Sequence, residues 1–180
     1  MYLSTFAKMF ISSQGGWQAV KLTRLSVKNM YFLVFPLSCV PPIMILFAGF
    51  NYGNNFFENA NGTTWIVSSL VFLIAELATV PLMAWIIKNI AKIRNINIEF
   101  KKTFALASIA ALPMWFSSVA LFMPNPLFII GIVLLGLVGS IVLLNHGVAG
   151  ILNLQEEVEV ADITFTTISF GIIAWVFLII

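Results

Sequence analysis

The stretch TFALASIAALPMWFSSVALFMPNPLFIIGIVLLGLVGSIVLLNHGVAGILNLQ, residues 103–155, decides the fold. It holds no Asp, Glu, Lys or Arg, and His146 is its one side chain that titrates near neutral pH. A membrane-spanning helix needs about 20 mostly apolar residues, because roughly 30 Å of hydrocarbon is crossed at about 1.5 Å per residue. Two such helices fit here. Between them lies Met123-Pro124-Asn125-Pro126, where two prolines and the restricted residue before each cannot continue a helix. The stretch reads as a transmembrane hairpin with spans over residues 104–122 and 127–146.

Composition carries the same message for the whole chain. Of 180 residues, 61% are apolar and 9% charged, with a mean hydropathy of +1.03, whereas soluble domains carry about 25% charge. No water-soluble fold of this size hides so much apolar surface, so the class is an integral membrane protein of one domain. A net charge of +2 gives no reason to expect nucleic acid. The lone Cys39 lies in an apolar run and supports no disulfide framework. The first apolar run, from Met30, is long enough to be a retained span rather than a cleavable signal.

Working outward, residues 1–29 form a cytoplasmic or interfacial segment. Leu3, Phe6, Met9 and Phe10 recur at helical spacing beside Ser4, Lys8 and Ser12, as in a short amphipathic helix lying in the membrane interface, ended by Gly15-Gly16. Trp17, Val20, Leu22 and Leu25 alternate with Lys21, Arg24 and Lys28, and are expected to ride on the headgroups. The remainder, 30–180, is the transmembrane domain. Its first span is expected over 30–50, its second over 65–87, and its last over 163–180. The expected fold is therefore an all-α bundle of five transmembrane helices with an interfacial N-terminal helix. Asn51 to Thr64 is a polar loop whose one charge is Glu58. All nine Lys and Arg precede the first span or lie between the second and third. The positive-inside bias then puts the N-terminus in the cytoplasm and the C-terminus on the opposite side. Trp65 and Trp85 flank the second span as an aromatic belt would.

Glu76, at the centre of the second span, is the sharpest site candidate. An acidic residue there costs about 2.5–3.5 kcal/mol, which the aliphatic and aromatic residues of the same helix outweigh. Such a carboxylate faces a cavity or a partner rather than lipid. With no intramembrane Lys or Arg to pair it, the structural reading is a bond to Ser, Thr or Asn of a neighbouring helix. His146 is the second candidate. A proton relay with Glu76 is conceivable, but its place at the end of the fourth span favours a capping or interfacial role. Gly136, Gly139, Ser140, Gly147 and Gly150 form a small-residue face suited to close helix packing, in the hairpin or in a dimer. Pro36, Pro41, Pro42, Pro81 and Pro113 lie within spans, where they kink helices and free backbone carbonyls; broken helices also build transporter sites. In the acidic connector Glu156, Glu157, Glu159 and Asp162, metal-ligand spacing is lacking and Asp162 is placed to cap the last span. No catalytic signature is present, and no cofactor is implied.

Two stretches carry a family resemblance. Gly16-Trp17 leads through a basic segment into Phe35-Pro36-Leu37 and Val40-Pro41-Pro42. Gly147-Val148 is followed by Leu152 to Glu157 and a final span, with Ala149 where a proline is common. The chain resembles, over nearly its whole length, the Yip family of small five-span membrane proteins in its short bacterial form. The resemblance implies an inner-membrane protein without catalytic residues. Eukaryotic relatives are associated with Rab-type GTPases through an N-terminal region much longer than the 29 residues here, so GTPase binding is not carried over. The expected function is a non-enzymatic scaffold or adaptor that binds membrane lipids, a membrane-protein partner or a second copy of itself. The competing expectation is a small transporter or channel for protons, ions or lipid, built on Glu76 and the proline-broken helices.

Overall fold

The computed structural model describes residues 9, 11, 16, 17 and 27–179. The interfacial helix expected over the first residues, and most of the basic segment after it, lie outside the described residues. The elements run α1 (Val27–Ser38), α2 (Val40–Tyr52), α3 (Gly62–Ile93), α4 (Phe100–Ser117), α5 (Pro126–Leu152) and α6 (Glu157–Ile179). Single 3-10 turns follow α2 (Gly53–Asn55) and α4 (Ser118–Phe122), and no strand occurs among the described residues. Among the described residues four segments are long and apolar enough to cross a membrane: Val34–Asn55, Gly62–Ile93, Phe100–Phe122 and Pro126–Leu152. The chain is thus an all-helical membrane protein.

Local chemistry explains where the helices start and stop. The first expected span is two helices, because Pro41 and Pro42 remove the amides that would bond the carbonyls of Leu37 and Ser38. The chain breaks at Cys39, and the prolines open α2, where a missing amide costs nothing. Pro36, Pro81 and Pro113 stay inside α1, α3 and α4. Asn61 caps α3: its side chain accepts from the Thr64 amide at 2.9 Å while the Thr64 hydroxyl accepts from the Asn61 amide. Asn125 caps α5 in the same way, accepting from the Phe128 amide. At their other ends α3 and α5 stop at Asn95 and Asn153, both with a φ of 60°. In each case the next amide folds back, Ile96 to Ala91 O at 2.9 Å and Leu154 to Ala149 O at 3.1 Å, which satisfies a terminal carbonyl. The fourth helix therefore continues to Leu152 rather than ending at His146. Likewise α6 begins at Glu157, so Asp162 lies inside it and is not its cap.

The helices pack around α4. Of its most apolar window 56% is buried, against 17% for that of α5. α5 lies along α4, α3 and then α2 follow on the other side, and α6 closes over α3 and α5. The apolar core sits towards one end of the bundle, where Ile87, Phe104, Leu106, Leu143, Val148 and Ile163 are buried together. The first half of α5 is instead outward-facing, with Leu127, Leu134 and Leu135 exposed, as lipid contact allows.

Close approach rests on glycine where an aromatic or a backbone oxygen fills the place of a side chain. A Cβ on Gly136 would lie 2.8 Å from Ser117 Cβ and 2.9 Å from the Pro113 carbonyl oxygen, while one on Gly131 meets nothing within 4 Å. Two alanine substitutions in one helix therefore have opposite outcomes. Gly136→Ala is expected to destabilise by about 1–3 kcal/mol through overpacking. Gly131→Ala is expected to be neutral or to stabilise by up to about 1 kcal/mol through helix propensity. Thermal unfolding in detergent reads both. By the same assay Asn95→Ala, forced to hold a left-handed conformation, is expected to lose about 1 kcal/mol, and Asn95→Gly to lose nothing.

Candidate functional site

Glu76 lies on α3, one turn before Pro81, and is 8% exposed. Facing it from α4 is Trp115, two residues after Pro113 and 1% exposed. The indole Nε1–H donates to Glu76 Oε2 at 2.6 Å. An indole donates and cannot accept, so the carboxylate is held as a fixed acceptor. The partner is thus a tryptophan on the adjacent helix, not the Ser, Thr or Asn expected. An aromatic residue was a poor candidate from sequence because Trp in a span reads as belt or core. Its polar atom shows only when another helix supplies the acceptor.

Other interhelical bonds stand on either side of this pair. Ser69, buried on α3, donates its hydroxyl to the Pro42 carbonyl at 2.9 Å and so ties α3 to the start of α2. The Tyr52 hydroxyl, at the end of α2, donates to the carbonyl of Leu121 in the 3-10 turn after α4. The ring of Phe47 stands edge-on to that of Phe122, 4.8 Å between centroids. Trp65 is half-buried rather than displayed as a belt residue: a Cβ on Gly49 or Gly53 would lie 2.3 or 2.4 Å from its ring. Gly49 of α2 and Gly53, which opens the 3-10 turn after it, are four apart and lie under the same ring, a spacing the sequence reading passed over. Trp85, by contrast, is 58% exposed.

His146 is brought to a different partner. Its Nδ1 lies 3.3 Å from the carbonyl oxygen of Met9, and the Trp17 indole donates to the same oxygen at 3.3 Å. A carbonyl only accepts, so this contact is a hydrogen bond in the tautomer that carries a proton on Nδ1. Met9 and Trp17 are fully buried, and Gly16 and Trp17 are themselves helical. The expectation that Trp17 rides on headgroups is corrected: its ring lies where a Cβ on Gly147 would stand, beside Leu106. Glu76 and His146 thus have separate partners, Trp115 and Met9. Of the small-residue face, Gly136 and Gly147 are buried, whereas Gly139, Ser140 and Gly150 are partly exposed. The Ser140 hydroxyl is buried without a hydrogen-bond partner.

Charged groups gather beyond the ends of the helices. Arg94, just past α3, pairs with Asp162 of α6, which fastens α6 to the end of α3. Glu157 and Glu159 occupy the first turn of α6, where negative charge complements the helix dipole. Lys101 lies 2.6 Å from Glu99 and, by donating to it, holds that exposed carboxyl below the usual carboxylate range. That contact is present at neutral pH and is lost as pH falls and the carboxylate protonates. Among the described residues no three His, Cys, Asp or Glu side chains come together to hold a metal ion.

No curated protein and no solved structure matches the chain. The comparison with protein families does give a match, to the Yip1 domain, and it runs over residues 7–179. A match from before the first span to the end of α6 includes all six helices, the α4–α5 hairpin among them; this chain belongs to the Yip family of membrane proteins.

Proposed function

We propose that the protein is a non-enzymatic multi-pass scaffold or adaptor that engages lipids or other membrane proteins. The observation that carries this reading is the Glu76–Trp115 bond. The most costly residue in the membrane-spanning helices is buried and spent on joining α3 to α4, which is what a fixed frame requires. Family membership is consistent with it. In the same reading α6 is the fifth span, over 163–180. The Lys- and Arg-bearing segments face the cytoplasm of a bacterial inner membrane, and the C-terminus emerges on the other side. The transporter alternative needs Glu76 to exchange protons or ions, and its bond to a donor-only indole inside the packed bundle favours the frame.

Three measurements test these statements. Glu76→Gln keeps an oxygen that accepts from Trp115 and is expected to leave thermal stability near that of the parent. Glu76→Leu strands a buried indole N–H and is expected to cost about 1–3 kcal/mol. In liposomes, Glu76→Gln is expected to leave proton and ion flux unchanged, and loss of a pH-dependent flux would establish the transporter instead. Native mass spectrometry of the protein, taken from its own membrane in lipid nanodiscs, is expected to show a stoichiometric protein partner or defined bound lipid; a bare monomer would remove the adaptor reading.

A further inference from the structure

A cavity of about 490 Å³ opens at the end of the bundle opposite Arg94, lined by Phe57, Glu58, Asn59, Thr64, Trp65 and Ser68. One side of the Trp65 indole rests on Gly49 and Gly53, and the cavity lies against what remains of it. Phe57 stands edge-on to this ring at 5.9 Å between centroids, so two aromatic rings and one carboxylate meet in the same recess. No Lys or Arg occurs between Lys28 and Lys88. An acidic group and two aromatic rings lining one recess, with no cation near them in sequence, form a chemistry that holds an organic ammonium.

Two further features narrow the ligand. The side chains of Glu58, Asn59 and Ser68 carry oxygen acceptors, Thr64 being engaged with Asn61, which suits a primary ammonium with three N–H donors; a quaternary one donates nothing and calls for a fuller aromatic cage. The recess also stands at the hydrocarbon edge, with Phe56, Ile66 and Val67 exposed beside it. We infer that this recess binds the ethanolamine headgroup of a phospholipid, with Glu58 taking the ammonium and Phe57 and Trp65 flanking it. The inference deepens the lipid-engaging side of the proposed function and rests on it.

The test is native mass spectrometry of the full chain in detergent, titrated with short-chain phosphatidylethanolamine or phosphatidylcholine. The ethanolamine lipid is expected to bind more tightly. Glu58→Gln, in an exposed loop, is expected to weaken that lipid about tenfold, as loss of one charge-assisted hydrogen bond implies, and to leave the choline lipid unchanged. Equal binding of the two lipids, or no effect of Glu58→Gln, overturns the inference. Free phosphoethanolamine is the third arm: binding as tight as that of the lipid would assign the recess to a soluble amine and overturn the headgroup assignment. Recovery of a stoichiometric protein partner together with no ethanolamine preference would sink this inference and leave the adaptor reading standing.

Discussion

Inside a bilayer every backbone polar group must find its partner within the protein, because hydrocarbon offers none. That constraint governs the structure more than hydrophobicity does, since lipid tails are as apolar as the side chains they meet. Proline is where it bites. Pro36, Pro81 and Pro113 each leave one carbonyl of the preceding turn without its helical amide, and Pro41-Pro42 leave two in succession. One isolated proline is absorbed within a helix, as in α1, α3 and α4, while the doublet breaks the chain at Cys39 and starts a new helix. Two of the polar bonds between helices lie close to these positions. Ser69 reaches the carbonyl of Pro42, and Trp115, two residues past Pro113, reaches Glu76, five before Pro81.

The second constraint is contact. With no hydrophobic force between helices in lipid, association depends on how closely they pack, and here the close approaches pair bulk with glycine. Trp65 fills the space over Gly49 and Gly53, Trp17 and Leu106 fill that over Gly147, and Pro113 with Ser117 press on Gly136. In the first two a tryptophan ring seats on glycine and sets how far apart the elements sit, whereas at Gly136 a backbone oxygen and a serine make the approach.

This division explains what could be read from the residues. Spans were legible because hydropathy is a local property summed over about 20 residues. Their ends were not, because a helix stops where backbone geometry turns. His146, Gly147 and Gly150 look like the close of a span, yet α5 runs on until Asn153 takes a left-handed conformation and returns an amide to Ala149. The carboxylate at residue 76 stood out by its cost, but its partner lies 39 residues away and no periodicity points to it. Trp17 failed in the opposite direction. Its basic neighbours suggest an interfacial residue, and only the cleft beside Gly147 and Leu106 explains its burial.

The length of α3 joins these strands. At about 1.5 Å per residue its 32 residues extend about 48 Å, well beyond the roughly 30 Å of hydrocarbon, so it must tilt or project into both interfaces. Its two ends are chemically unlike. One carries Lys88, Lys92 and Arg94 and is fastened to α6 through Asp162, close to the buried core around Ile87 and Phe104. The other begins at the Asn61 cap beside Glu58 and a recess of aromatic rings. Basic side chains thus mark one end of α3 and the loop carboxylate of Glu58 stands before the other, with the packed half of the bundle at the basic end. The end beside Glu58 is held by fewer buried side chains and by the Ser69, Tyr52 and Trp65 contacts, so it is the less densely packed end.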